Sequence, residues 1–202
     1  MARPNIVLIM PDQQRADSLG CYGNVFTKTP EVDRMARTTL FDVLKAAGYT
    51  TAHFGKWHLG EKQPKYFDVW EETFNSRVHH WIGGVDGGIW RPGLQTDRCI
   101  QFLNSRKPED PPFCMVQGYY PPHDPYTAPK EFYAHYRDRG VPFAGYYAGV
   151  SAIDYETGRI LDALDRTGQR HNTLVVFFAD HGDTFFYRAD GEHKFVCTDD
   201  SI

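Results

Sequence analysis

Four short strand-like runs, Ile6–Met10, Thr50–Phe54, Phe113–Val116 and Leu174–Phe178, limit most strongly what this chain can fold into. Each is brief and bounded by polar or helix-breaking residues, the pattern of a buried strand. Segments with helical spacing separate them. Thr29 can cap a helix that has Pro30 at its first position. Leu40, Phe41, Leu44 and Ala47 repeat at helical intervals and close on Gly48; Thr96 can cap a helix through Cys99, Ile100 and Leu103. Val150, Ile153, Thr157, Ile160, Leu161 and Leu164 mark a long amphipathic helix that Gly168 can end. Strands alternating with helices predict an α/β fold, a mostly parallel sheet flanked by helices on both faces. Lys62 to Gln95 is rich in Gly, Trp and His without a clear period, and is expected to be loop.

Open parallel sheets bind ligands beyond the carboxyl ends of their strands. Here the four runs lead into "PDQQ", "GKWH", "PPHD" and "ADHGD". One polar strand end means little, but four that hold Asp12, Gln13, Lys56, His58, His123, Asp180 and His181 point to one shared site. Asp12, Asp180 and His181 supply two carboxylates and an imidazole, and Gln13 adds an amide oxygen. That donor set suits Ca²⁺, Mn²⁺ or Mg²⁺ better than zinc, since no Cys or second His is spaced to complete a tetrahedral shell. For the Asp180-His181 pair alone, a carboxylate capping the next turn is the simpler account; Asp12 at another strand end favours the metal. Lys56, His58 and His123 are a cation and two potential cations that would stabilise an anionic substrate. Against this stand a snorkelling lysine and hydrogen-bonded loop histidines. Lys194 in "GEHKFVC" is a further anion contact or a solvated loop residue, and His79, His80, Trp81 and Trp90 form a substrate rim or a packed surface loop.

With 41% hydrophobic and 15% aromatic residues, a chain of 202 residues can bury a core. The formal net charge is -4 and no long basic run occurs, so no nucleic-acid partner is expected. No apolar run reaches the length of a membrane span. The N-terminal apolar stretch stops at Pro11 and Asp12, too short for a signal peptide. A cytoplasmic location is expected from this chain, or a periplasmic or secreted one if a leader was removed. Cys21, Cys99, Cys114 and Cys197 form no C-x-x-C pair, and Cys99 and Cys114 are expected to be buried free thiols.

"RPNIVLIMPDQQRADSLGCYGN", "LKAAGYTTAHFGKWHLG", "PPHDPYTAPKEFY", "YYAGVSAIDYETGRILDAL" and "NTLVVFFADHGD" resemble the sulfatase family of the alkaline phosphatase superfamily, in that family's order and over nearly the whole chain. The pairing of "GKWHLG" with a later "DHGD" is highly specific. The resemblance implies an alkaline phosphatase-like α/β domain over residues 1–202, a divalent cation (Ca²⁺ or Mn²⁺) and a small-molecule sulfate ester as substrate. It implies that Asp12, Asp180 and His181 are metal ligands, with Gln13 beside them. Lys56, His58, His123 and Lys194 would contact the sulfate or the activated nucleophile, and His123 or His58 would manage the leaving-group proton.

Two departures from the family pattern carry consequences. The family often has two acids where this chain has Asp12-Gln13, and Asn where it has His181. These forms resemble the branch with phosphonate and phosphate ester hydrolases and choline-sulfatase-like enzymes, which keeps a phosphoester substrate open and tilts the metal from Ca²⁺ toward Mn²⁺. The family's nucleophile is a Cys or Ser, converted to formylglycine, in a C/S-x-P-x-R signature. Here "TPEVDRMAR" runs straight into "TTLFDVLKAAGY", and no Cys or Ser is followed by that pattern. The expectation is an internal deletion near Arg37–Thr38, a chain also truncated at its C-terminus, and impaired catalysis. A non-catalytic remnant that binds metal or anion is the remaining alternative.

Overall fold

The computed structural model describes residues 25–31, 38–57, 62–74, 80–179 and 182. The chain divides into two compact units, Thr39–Thr173 and a second made of Met1–Thr38 with Leu174–Ile202.

The larger unit opens with helix α1, Leu40–Ala46. Thr39 and Asp42 close a capping box at its start: Asp42 N donates to Thr39 Oγ1 (3.1 Å) and Thr39 N donates to Asp42 Oδ2 (2.9 Å). Two otherwise orphaned donors are satisfied reciprocally, so the helix carries its own start signal. Gly48, just past the C-cap Ala47, has φ of 85° and reverses the chain into β1, Thr50–Lys56. Asp68 ties helix and strand together, accepting from Lys45 Nζ (2.7 Å) and from Thr51 N and Oγ1 (both 3.0 Å). The Lys45 ammonium, and then Thr51, hold its carboxyl below the usual range.

β1 is the centre of a three-stranded sheet of order β2-β1-β5, with β2 at Val69–Phe74 and β5 at Phe113–Gly118. Both pairings of β1 are parallel. A small antiparallel pair, β3 (Trp81–Ile82) and β4 (Ile89–Trp90), precedes helix α2, Arg91–Ser105. Helices α3, Lys130–Arg137, and α4, Ala144–Arg166, follow β5. Strand alternation divides β1 between two faces. Ala52 and Phe54 pack with Cys99, Phe102, Met115 and Ile160 toward α2 and α4. Thr51 and His53 point the other way, where Phe67, Trp57 and Trp70 ring His53 at centroid distances of 4.9–5.4 Å. Phe41 of α1 meets Phe67 at 4.5 Å, so helices flank both faces as the sequence predicts.

Cys99 is a buried free thiol, pushed up by burial, and Cys114 is half-buried and free. An ionic triad locks α2 to α4: Arg159 donates to the buried Glu156 (2.8 Å) and to Asp97 (2.5 Å).

Within the larger unit, three sequence expectations change. The stretch from Lys62 to Gln95 is not all loop: it contains β2, β3, β4 and the first turns of α2. Thr96 lies inside α2 rather than capping it; Pro92 in the first turn pre-sets the backbone where no N–H partner is needed. The long helix α4 buries Ala148, Gly149 and Ala152 and leaves Val150 at 42% exposure, because small residues let the helix approach its neighbours closely.

In the smaller unit, the expected strand Leu174–Phe178 forms no ladder among the described residues, and Leu174, Phe177 and Phe178 are exposed. An apolar run becomes a strand only where a neighbour takes its backbone N–H and C=O groups. Pro30 and Glu31 are helical, as the Thr29–Pro30 signal predicts. The first expected strand, Ile6–Met10, and Cys21, Cys197 and Arg37 lie outside the described residues.

Candidate functional site

Lys56 is the last residue of the central strand, and glycine places it there. Gly55 has φ of 88° and pairs with Gly118 across the β1–β5 ladder. A Cβ on Gly55 would stand 2.0 Å from the Gly118 carbonyl oxygen, and one on Gly118 would stand 2.5 Å from the Lys56 carbonyl oxygen. On the other side the register slips between Phe54 and Lys56, with Glu72 in the left-handed region at φ of 50°. A bulge of this kind re-aims the side chain that follows it. Lys56 Nζ consequently stands 5.1 Å from the centroid of the Tyr120 ring.

Tyr120 and His123 belong to the loop that leaves β5. His123 N donates to Tyr120 O (3.2 Å), and the two rings stack at 4.5 Å with an interplanar angle of 28°. His123 Nδ1 lies 2.6 Å from Asp124 Oδ1. A carboxylate can only accept, so Nδ1 carries a proton and Nε2 is the position that can exchange one with a substrate. The loop contains cis peptides at Pro121-Pro122 and Asp124-Pro125. Helix α4 supports it from below: a Cβ on Gly145 would stand 2.1 Å from Tyr126 O, and one on Gly149 would touch Pro122 at 3.6 Å. Tyr133 Oη donates to Tyr126 O (2.7 Å), and Trp81 Nε1 donates to Thr127 Oγ1 (3.3 Å).

His80 is buried at 2% exposure; its Nδ1 donates to Thr127 O (3.1 Å) and its ring meets Tyr120 edge-on at 5.4 Å. It is therefore a packing and anchoring residue rather than part of a substrate rim. Trp81 and Trp90 pair across β3 and β4 at 5.1 Å. A second cation flanks the cluster: Arg91 lies 5.5 Å over the Phe74 ring, its guanidinium pKa lowered by burial, and Phe74 meets Tyr120 at 6.0 Å.

Of the residues singled out from sequence, the structure thus brings Lys56 and His123 together, through Tyr120. Asp12, Gln13, His58, His79, Asp180, His181 and Lys194 lie outside the described residues. Among the described residues no cluster of three or more His, Cys, Asp or Glu side chains could hold a metal ion. The donor chemistry of Asp12, Gln13, Asp180 and His181, three oxygen donors and one imidazole, fits an oxygen-preferring divalent cation. Two residues were missed from sequence. Asp124 adjoins His123, and Tyr120 precedes it by three; the aromatic pair "YY" between a strand end and "PPHD" was the available signal. Among the described residues no helix is long and apolar enough to cross a membrane.

The sulfatase family model matches residues 36–199. The ulvan-active sulfatase of Formosa agariphila is 26% identical over 90% of this chain and 51% of its own length. The arylsulfatase of Clostridium perfringens is 24% identical over 90% of this chain and 63% of its own length. The chain therefore spans about half to two-thirds of such relatives. The first of these matches runs over 265 residues, more than the 202 this chain has, so the relative holds residues inside the matched span without counterparts here. A crystal structure of Ps i-CgsB with a neocarrahexaose shares the fold at a TM-score of 0.53 and 20% identity, covering 64% of this chain and 36% of that one. A Bacteroides fragilis protein assigned as a sulfatase does so at 0.51 and 22%, covering 84% and 60%.

Proposed function

The chain belongs to the sulfatase family, and on that premise we propose that it is a hydrolase domain built around a sulfate monoester site, without the nucleophile that would turn the ester over. The observation that carries this reading is the meeting of Lys56 and His123 on the Tyr120 ring at the carboxyl ends of two parallel strands.

The Lys56 ammonium offsets the charge of the sulfate oxygens. His123, held through Nδ1 by Asp124, presents Nε2 to the leaving oxygen and supplies its proton. His58 is the alternative donor, and Lys194 a second cation toward the sulfate. Asp12, Gln13, Asp180 and His181 would hold a divalent cation, Ca²⁺ or Mn²⁺, whose contribution is Lewis-acid polarisation of the sulfate oxygens. No Cys or Ser in the chain stands in the C/S-x-P-x-R pattern, so the covalent step that divides the reaction has no residue to perform it.

An internal deletion near Arg37–Thr38 accounts for that gap. Two observations are in line with it: the relative's residues without counterparts in the matched span, and the start of the family match at residue 36, beside the junction. The helix after the junction starts on its own capping box, so it does not depend on what preceded it. Purified protein should release negligible p-nitrophenol from p-nitrophenyl sulfate in the presence of Mn²⁺ or Ca²⁺. Turnover comparable with that of an intact sulfatase, abolished by Asp12→Ala, would overturn the reading. DNA continuous across the junction, without a nucleophile segment, would assign the loss to the gene itself.

A second reading, a phosphoester or phosphonate ester site, is favoured by the Asp12-Gln13 and Asp180-His181 forms. Competition between an aryl sulfate and an aryl phosphate for binding separates the two.

A further inference from the structure

We propose that Tyr120 is the positioning residue of this site: its ring fixes the Lys56 ammonium and the His123 imidazole at a set spacing, so that both meet one sulfate group. This rests on the reading that Lys56 and His123 receive the sulfate. It concerns a residue whose own chemistry takes no part in the reaction.

Lys56 has four side-chain torsions beyond the strand end that carries it. Asp124 tethers His123 at Nδ1, but the imidazole sits on a loop at 41% side-chain exposure, where a contact at one ring nitrogen does not by itself set the plane of the ring. Ordering such side chains at the moment of binding weakens affinity, and preorganising them removes that cost. The Tyr120 ring does this for both. Its quadrupole attracts the ammonium 5.1 Å from its centroid, and its plane carries the imidazole at 4.5 Å.

The platform is itself clamped. Phe74, the last residue of β2, meets the Tyr120 ring at 6.0 Å with a 60° interplanar angle, and the buried His80 meets it at 5.4 Å and 66°. Phe74 is also the ladder partner of Lys56, so the residue that steadies the ring is registered to the residue the ring holds. An aliphatic side chain of similar bulk could fill the space but would offer neither the quadrupole nor the flat stacking surface. The requirement is for the aromatic face.

The test uses the full chain, titrated with sodium sulfate against sodium chloride at matched ionic strength and followed by NMR. Wild type, Tyr120→Phe, Tyr120→Leu and Lys56→Met are compared. Tyr120→Phe keeps the face and should bind sulfate within about twofold of wild type. Tyr120→Leu should bind about three- to tenfold more weakly, the range of a cation–π contact at a partly exposed site. Wild-type affinity in Tyr120→Leu overturns the positioning role, and so does an equal loss in Tyr120→Phe. A saturable response unchanged in Lys56→Met, or none in wild type, overturns the sulfate site instead. A measurement on wild type alone covers the case in which the leucine variant does not fold. The Lys56 Hε protons should resonate upfield of those of the other lysines because of the Tyr120 ring current, and an ordinary shift overturns the proposal.

Discussion

Gly55 and Gly118 face each other across the last rung of the β1–β5 ladder so closely that a Cβ on Gly55 would lie 2.0 Å from the Gly118 carbonyl oxygen. The site residue Lys56 follows this contact directly, so the backbone beneath the site has no room for side chains. Gly55→Ala should therefore cost several kcal/mol, from steric displacement added to the positive-φ penalty. Gly48 has a similar φ, but a Cβ there would meet nothing within 4 Å, and Gly48→Ala should cost only about 1 kcal/mol. Chemical denaturation of both variants checks the contrast, and equal losses would show that φ alone matters.

The His123 loop has a comparable dependence on α4. A methyl group on Gly145 would stand 2.1 Å from Tyr126 O, which Tyr133 Oη also engages. Gly145→Ala should push the loop outward, weakening sulfate binding more than the change in melting temperature alone would explain. Unaltered sulfate affinity would show that the loop does not lean on this helix.

His53 gives the fold an acid-sensitive point. Burial lowers its pKa from 6.5 to about 4, so the unfolded chain binds a proton there that the native state resists. Stability from this residue is complete above the unfolded pKa of 6.5 and is lost as pH falls from 6.5 toward about 4. The loss is at most about 3 kcal/mol. Urea midpoints between pH 7 and 4 should fall less steeply in His53→Phe than in wild type; parallel profiles would contradict the assignment.

Glu156 is 4% exposed and its partner Arg159 bridges it to Asp97. Arg159→Met should destabilise by about 2 kcal/mol, below the range for a fully buried pair because Arg159 is itself partly exposed. Adding Glu156→Gln should recover part of that loss. No recovery in the double variant would mean that Arg159 acts through packing rather than charge.

Much of this architecture was readable from residues alone because its signals are local. Thr50–Phe54, Phe113–Val116 and the Leu40–Ala47 spacing each fall on the element they predict, and Lys56 and His123 lie beside one ring as strand-end residues of one sheet should. What escaped depends on the third dimension. The Lys62–Gln95 region hides β2 because Val69–Phe74 gains its strand character from pairing with β1, with Glu72 bulged out of phase. The small residues Ala148, Gly149 and Ala152 carry no hydrophobic signal, yet they form the seam of α4. Leu174–Phe178 has the composition of a strand, but no ladder pairs it among the described residues. Tyr120 was overlooked because an aromatic beside a strand end reads as packing until its neighbours are known.

Titrating purified protein with p-nitrophenyl sulfate in the presence of Mn²⁺ by calorimetry asks whether the proposed site binds a sulfate ester without turning it over. Saturable binding should be lost in Lys56→Met and in Asp180→Ala, with p-nitrophenol release in the same cell staying at background. Binding that survives both substitutions, or none in the wild type, would contradict the site; release at the rate of an intact sulfatase would contradict the missing nucleophile.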